Sequence, residues 1–157
     1  MKFKLINIGK TDIPYLQEGI NEYESRIRHF IDFTVTDVPG IRATAKMSPE
    51  LIKKNEGIEL KKALIKQDFI VLLDERGIVM SSRKFAEWLN KIQSQSFKQV
   101  AFVSGGAYGF SEEIYSLAQQ KIALSIMTFS HQMVRLIFTE QLYRACTILK
   151  GMKYHND

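Results

Sequence analysis

The chain has 157 residues, 45% of them hydrophobic and 25% charged, with a net charge of +5. That length makes one domain, residues 1–157, able to bury about 70% of the surface its unfolded chain exposes, and the composition excludes disorder. One cysteine, Cys146, excludes an intrachain disulfide framework and a zinc cluster; no apolar run approaches a membrane span of about 20 residues, and MKFKLINIGK lacks a signal peptide's apolar core.

Lys2–Ile8 alternates with period two and reads as a strand closed by Gly9. Asp12 is the expected cap of a helix with Pro14 in its first turn, and Ile13, Leu16, Ile20, Tyr23 and Ile27 recur along it at helical spacing. Phe33–Val38 is a second strand, closed by Pro39-Gly40. After a loop over 41–47, Ser48-Pro49 opens a helix to about Lys66, whose Lys53, Lys54, Glu56, Glu59, Lys61 and Lys62 predict a solvated face.

Phe69–Leu73 is a continuous apolar run of the kind buried in a parallel sheet, followed by an expected turn at Asp74–Gly77. Ser81 or Ser82 caps a helix to about Gln95, and Gln99–Val103 is another buried strand. It runs into Ser104-Gly105-Gly106-Ala107-Tyr108-Gly109, and Ser111-Glu112-Glu113 then opens a short helix. Ile122–Met127 is the last expected strand and Phe129–Lys150 the longest helix. On that helix Val134, Ile137, Phe138, Gln141, Ala145, Ile148 and Leu149 predict the apolar face, with Arg135, Thr139, Tyr143, Arg144 and Thr147 mainly elsewhere. Strands alternating with helices predict an α/β domain with a mostly parallel sheet flanked by helices.

The charge is unevenly placed. Residues 1–75 carry 12 basic and 12 acidic side chains, whereas residues 76–157 carry 10 basic and 5 acidic. A localised surplus of this size suits steering toward a polyanion, although from charge alone solubility is the favoured reading.

Ligands of open parallel sheets bind beyond the carboxyl ends of the strands. Three such ends bear chemistry: Leu72-Leu73-Asp74-Glu75, Ser104-Gly105-Gly106 and Ser125–Phe129. The glycine pair permits close backbone approach, but SGGAYG is neither G-x-G-x-x-G nor a phosphate loop. A dinucleotide-dependent oxidoreductase is disfavoured because no Gly-rich first turn precedes Asp32. A non-catalytic module that docks on a polyanion would explain the charge and would bind its partner without any cofactor.

Taken in order, GK near the start, FVSGGAYGF, LSIMTFSHQMVR, EQLYRA and a terminal YH resemble one bacterial family. It is the ribosomal large-subunit pseudouridine N3-methyltransferases, the smallest members of the SPOUT (α/β-knot) class. The chain departs from it at Ser130 and Lys153, where relatives often have proline.

The resemblance implies S-adenosylmethionine as donor, a C-terminal trefoil knot and a homodimer in the cytoplasm, without membrane or metal. Its cofactor site corresponds to Leu73, Gly105, Leu124, Ser125, Ile126, Met127, Thr128 and Phe129, with Leu73, Leu124, Ile126 and Phe129 as apolar walls. The implied acceptor is N3 of a pseudouridine in helix 69 of 23S rRNA, in the assembled ribosome. Arg144, Tyr154 and His155 are the expected catalytic, acceptor-side set; His155, Tyr154 and Glu140 are the possible bases, and Arg135 and Arg144 the expected holders of phosphate or uracil anion.

Overall fold

The computed structural model describes residues 1–156. Its elements, in chain order, are β1 (Lys2–Ile8), α1 (Pro14–Ile27), β2 (Asp32–Val38), α2 (Pro49–Leu64), β3 (Phe69–Val79), α3 (Ser82–Gln93), β4 (Gln99–Ser104), α4 (Glu112–Leu117), β5 (Gln120–Ala123) and α5 (His131–Leu149). All strand pairings are parallel, in the order β2-β1-β4-β3-β5, so the expected parallel α/β sheet is present.

Alternation along the strands sends side chains to two cores. Phe3, Leu5, Val71, Leu73, Val100 and Phe102 pack with Ile27 of α1, Phe85 and Leu89 of α3, and Phe138, Leu142, Ala145 and Cys146 of α5. Ile6, Ile8, Ile70, Leu72, Ala101 and Val103 pack on the other face with Leu60 and Leu64 of α2 and Ile114 of α4. Each large apolar side chain buried this way contributes about 1.5–3 kcal/mol.

Several boundaries differ from the sequence reading, each for a local reason. Asp12 does not cap α1; the N-cap is Ile13, and the Asp12 carboxylate instead accepts from Gln132 Nε2 at 2.6 Å. Asp74–Gly77 is not a turn but lies within β3, where the ladder to β5 shifts between Leu73 and Ile78, both of which register with Ile122. The extra residues bulge out toward the carboxyl end of the sheet. Gly77 is required there, because a Cβ at that position would sit 2.5 Å from the Ile122 nitrogen.

β5 ends at Ala123 instead of Met127. Beyond it the Ser125 hydroxyl accepts from the Met127 amide at 2.9 Å, turning the chain out of the ladder. Glu56, expected on the solvated face of α2, is buried, and burial raises its carboxyl pKa.

The buried stripe of α5 is also rotated from the expected one. It runs through Arg135, Phe138, Thr139, Leu142, Ala145 and Cys146. A guanidinium and two threonines, Thr139 and Thr147, occupy core positions, so apolarity alone misplaced the face. The Ser130 hydroxyl accepts from the Met133 amide at 3.3 Å and caps α5, a bond that a proline at 130 lacks the side chain to make.

Candidate functional site

The carboxyl ends of β3 and β4 and the segment after β5 enclose a cleft of about 470 Å³. Leu73, Ser104, Gly105, Leu124, Ser125, Met127, Thr128 and Phe129 line it, so nearly all of the expected cofactor residues come together. Ile126 does not: it is 91% exposed and supplies no apolar wall. Val134, from the first turns of α5, lines the cleft as well.

Sequence reasoning missed several lining residues. The β3 bulge brings Asp74, Glu75 and Arg76 to the rim. The Tyr115 hydroxyl donates to Asp74 at 2.5 Å, and burial together with that carboxylate pushes the phenol up to about 12. Thr128 Oγ1 donates to Glu75 at 3.1 Å and ties the bulge to the far wall. Asp74 and Glu75 stand at one of the three strand ends that the sequence singles out, but reading Asp74–Gly77 as a turn kept them, with Arg76, out of the expected cofactor set. His131, at the N-terminus of α5, also lines the cleft; burial first, and then the charge of Arg135, lowers its pKa.

The loop after β4 keeps its glycines for packing. A Cβ on Gly106 would lie 2.5 Å from the buried Glu56 carboxylate, so a larger residue there would require that side chain to move.

Arg144, Tyr154 and His155 form a second cluster, away from the cleft. The His155 ring nitrogen Nδ1 lies 3.4 Å from Arg144 Nη1, and the Arg144 guanidinium stacks 4.8 Å from the centre of the Tyr154 ring. Arg144 Nε donates to Glu140 at 3.1 Å, and the Tyr154 hydroxyl donates to the same carboxylate at 3.1 Å. Tyr23 of α1 lies 3.3 Å from the Tyr154 hydroxyl, so the tail is tied to two helices. Burial, then these two hydrogen bonds, raise the Tyr154 pKa well above the usual phenol range and keep it protonated.

Arg135 does not join this cluster and does not reach solvent to hold a phosphate. It is fully buried and donates to the Gly9 carbonyl oxygen at 3.0 Å and to Thr11 Oγ1 at 2.9 Å. Between Val134, the cleft residue furthest along α5, and Arg144 in the tail cluster, the helix advances about 15 Å. Arg144, Tyr154 and His155 do not line the cleft of their own chain. Among the described residues, no group of His, Cys, Asp and Glu is placed to hold a metal ion, and no helix is long and apolar enough to cross a membrane.

A parallel sheet with a ligand cleft at its carboxyl edge, walled by a post-strand loop and capped by the last helix, fits one class of enzymes. The chain belongs to the SPOUT methyltransferase family, whose model, described as a predicted SPOUT methyltransferase, matches residues 1–155. It is 48% identical over 157 residues, covering all of both chains, to the protein named ribosomal RNA large subunit methyltransferase H of Parabacteroides distasonis. The protein of the same name from Christiangramia forsetii is 47% identical over 156 residues, 99% of each chain.

Solved structures agree on the fold. A probable methylase family protein from Haemophilus influenzae superposes with a TM-score of 0.54 at 12% identity, over 95% of this chain and 66% of that one. A probable methyltransferase from Bordetella pertussis gives 0.53 at 11% identity, over 92% of this chain and 93% of that one.

Proposed function

We propose that this methyltransferase uses S-adenosylmethionine to methylate N3 of a pseudouridine in helix 69 of 23S rRNA, acting as a homodimer on the assembled ribosome. The observation that carries the reading is the full-length similarity to proteins named ribosomal RNA large subunit methyltransferase H, joined to a cleft at the three strand ends that such a cofactor requires. The trefoil threading of the C-terminal segment and a cytoplasmic location belong to the same reading.

The cleft residues fit the cofactor chemically. Leu73, Leu124, Phe129 and Val134 supply apolar surface for an adenosine, and Gly105 leaves backbone groups open to its polar edge. Asp74 and Glu75 place negative charge at the rim, which suits a sulfonium cation, and His131 stays neutral beside it. When bound, the cofactor supplies an activated methyl group.

N3 is an imide N–H and becomes a nucleophile only on losing its proton. Tyr154 is held protonated, and Glu140 is engaged by Arg144, Tyr154 and Gln141. Arg144 only donates, so its contact takes up the Nδ1 lone pair of His155; in the proposed reaction the Arg144 guanidinium turns to the charge that develops on the uracil ring and leaves the imidazole to take the proton. Because Arg144 stands about 15 Å along α5 from Val134 of the cleft, and neither it nor the tail lines that cleft, the proposed active site takes the cleft from one subunit and the tail cluster from the other.

The test is mass-spectrometric mapping of 23S rRNA from cells with and without the gene, beside calorimetry of the purified protein with S-adenosylmethionine. The reading expects loss of one methyl group on a helix 69 pseudouridine and saturable cofactor binding. An unchanged modification pattern overturns the acceptor, and absence of binding up to millimolar cofactor overturns the donor. Binding to ribosomes without any cofactor affinity would mark a docking module.

A further inference from the structure

Parallel register sets three polar side chains in a row across the sheet, at the edge of the cleft. Asp37 of β2 is opposite Asn7 of β1, and Asn7 is opposite Ser104 of β4. Leu73 of β3, which lines the cleft with Ser104, continues the row. Asn7 is fully buried and Ser104 is 1% exposed, whereas Asp37 reaches the surface. Asn7 follows Phe3 and Leu5 on the apolar face shared with α5, a place where the fold alone is served as well by another aliphatic residue.

Hydrogen-bond chemistry gives the row a direction. A carboxylate only accepts, so Asn7 must turn its amide nitrogen toward Asp37, and Nδ2 donates to Oδ1 at 2.9 Å. The amide oxygen of Asn7 is thereby left facing Ser104, whose hydroxyl donates to it at 2.7 Å. With its single proton engaged, Ser104 presents only lone pairs to the cleft.

We infer that Asp37, Asn7 and Ser104 form a relay that fixes the polarity of the cleft floor. Ser104 accepts a hydrogen bond from a donor group of the bound cofactor, an amine or a hydroxyl, and Asp37 and Asn7 are positioning residues that hold it in that state. The inference rests on the S-adenosylmethionine reading, since that molecule carries an ammonium, ribose hydroxyls and an adenine amine. The same lone pairs repel a carboxylate, so the relay also selects which end of the ligand lies at this wall.

The experiment is calorimetric titration of S-adenosylmethionine into Ser104→Ala, Asp37→Lys and Asp37→Asn. Lysine at the surface position 37 donates instead of accepting; it turns the Asn7 amide around and makes Ser104 a donor toward the cleft. Binding is expected to weaken about tenfold in Ser104→Ala and Asp37→Lys, while Asp37→Asn, which still offers an acceptor oxygen, restores it. Wild-type affinity in both Ser104→Ala and Asp37→Lys overturns the relay, as does equal loss in Asp37→Asn and Asp37→Lys. A wild-type chain that binds no cofactor overturns the donor reading instead. The relay is then decided without ligand by the NMR signal of the Asn7 side-chain amide, which is expected to move on Asp37→Lys and to stay near its wild-type position in Asp37→Asn. An Asn7 signal that ignores residue 37 overturns the relay.

Discussion

Arg135 donates a hydrogen bond to the carbonyl oxygen of Gly9 at 3.0 Å, joining the first turns of α5 to the end of β1 across 126 positions of chain. The same guanidinium reaches Thr11 Oγ1 at 2.9 Å and the Ile8 carbonyl oxygen. Burial lowers its pKa, against the charges of Asp37 and Asp12. Arg135 is thus a backbone clamp that holds the helix end beside the cleft. Arg135→Met leaves those acceptors unsatisfied in the core and is expected to cost about 3 kcal/mol, or roughly 6–12 °C in thermal midpoint. A loss under 2 °C by calorimetry would refute the clamp.

Gly77 lets β3 touch β5 at the bulge, where a Cβ would meet backbone atoms of Lys121 and Ile122 at 2.5–2.6 Å. Backbone has little room to yield, so Gly77→Ala is expected to destabilise by about 1–3 kcal/mol and to displace the start of the post-β5 wall. Urea unfolding measures the first effect and calorimetry with S-adenosylmethionine the second. Full retention of both refutes the idea that this contact sets the wall.

The separation of cleft and tail cluster makes a complementation result decisive. Gly105→Trp fills the cleft and His155→Ala removes the proposed proton acceptor, so each homodimer is expected to be inactive. After subunit exchange, mixed dimers hold one intact composite site, and about half of the mixed species' full site count is expected to return as methyl transfer to ribosomes. No recovery, with exchange verified by mass spectrometry, would rule out a shared site.

His131 gives a signed dependence on pH. Its folded pKa lies below the ordinary histidine value of 6.5, through burial first and Arg135 second, so the unfolded chain binds the proton more readily. Stability therefore rises with pH through the interval between the lowered folded pKa and 6.5, is fully present above it, and falls on acidification. Thermal midpoints from pH 5 to 8 are expected to show this slope in the wild type and a weaker one in His131→Gln. Identical profiles would remove His131 as its source.

Much of the fold was legible because local chemistry agreed with it. The alternation of Lys2–Ile8 and the Ser48 and Ser81 caps all formed as read, the two hydroxyls accepting from Leu51 and Lys84. What escaped depends on partners remote in sequence. Arg135 looks like a surface cation until the Ile8 and Gly9 carbonyls arrive to bind it, and Gly77 looks like a turn until Ile122 lies against it. Leu124–Met127 has a strand's apolarity, yet it forms cleft wall and an exposed Ile126. The tail pair Tyr154-His155 carries no local ordering signal; Tyr23, Glu140 and Arg144 supply the order.

Helix α5 begins at the cleft and carries Glu140 at its middle and Arg144 one turn further on, so it works as a gauge. Each residue added to an α-helix turns everything beyond it by about 100° and moves it about 1.5 Å. A single insertion after Phe138 would swing Arg144 and the tail away from Tyr23, while four residues, close to one full turn, would restore their bearing but lengthen the gauge by about 6 Å. Variation in the length of this helix is thus held to whole turns, and in the proposed homodimer each added turn would have to be matched by the second subunit.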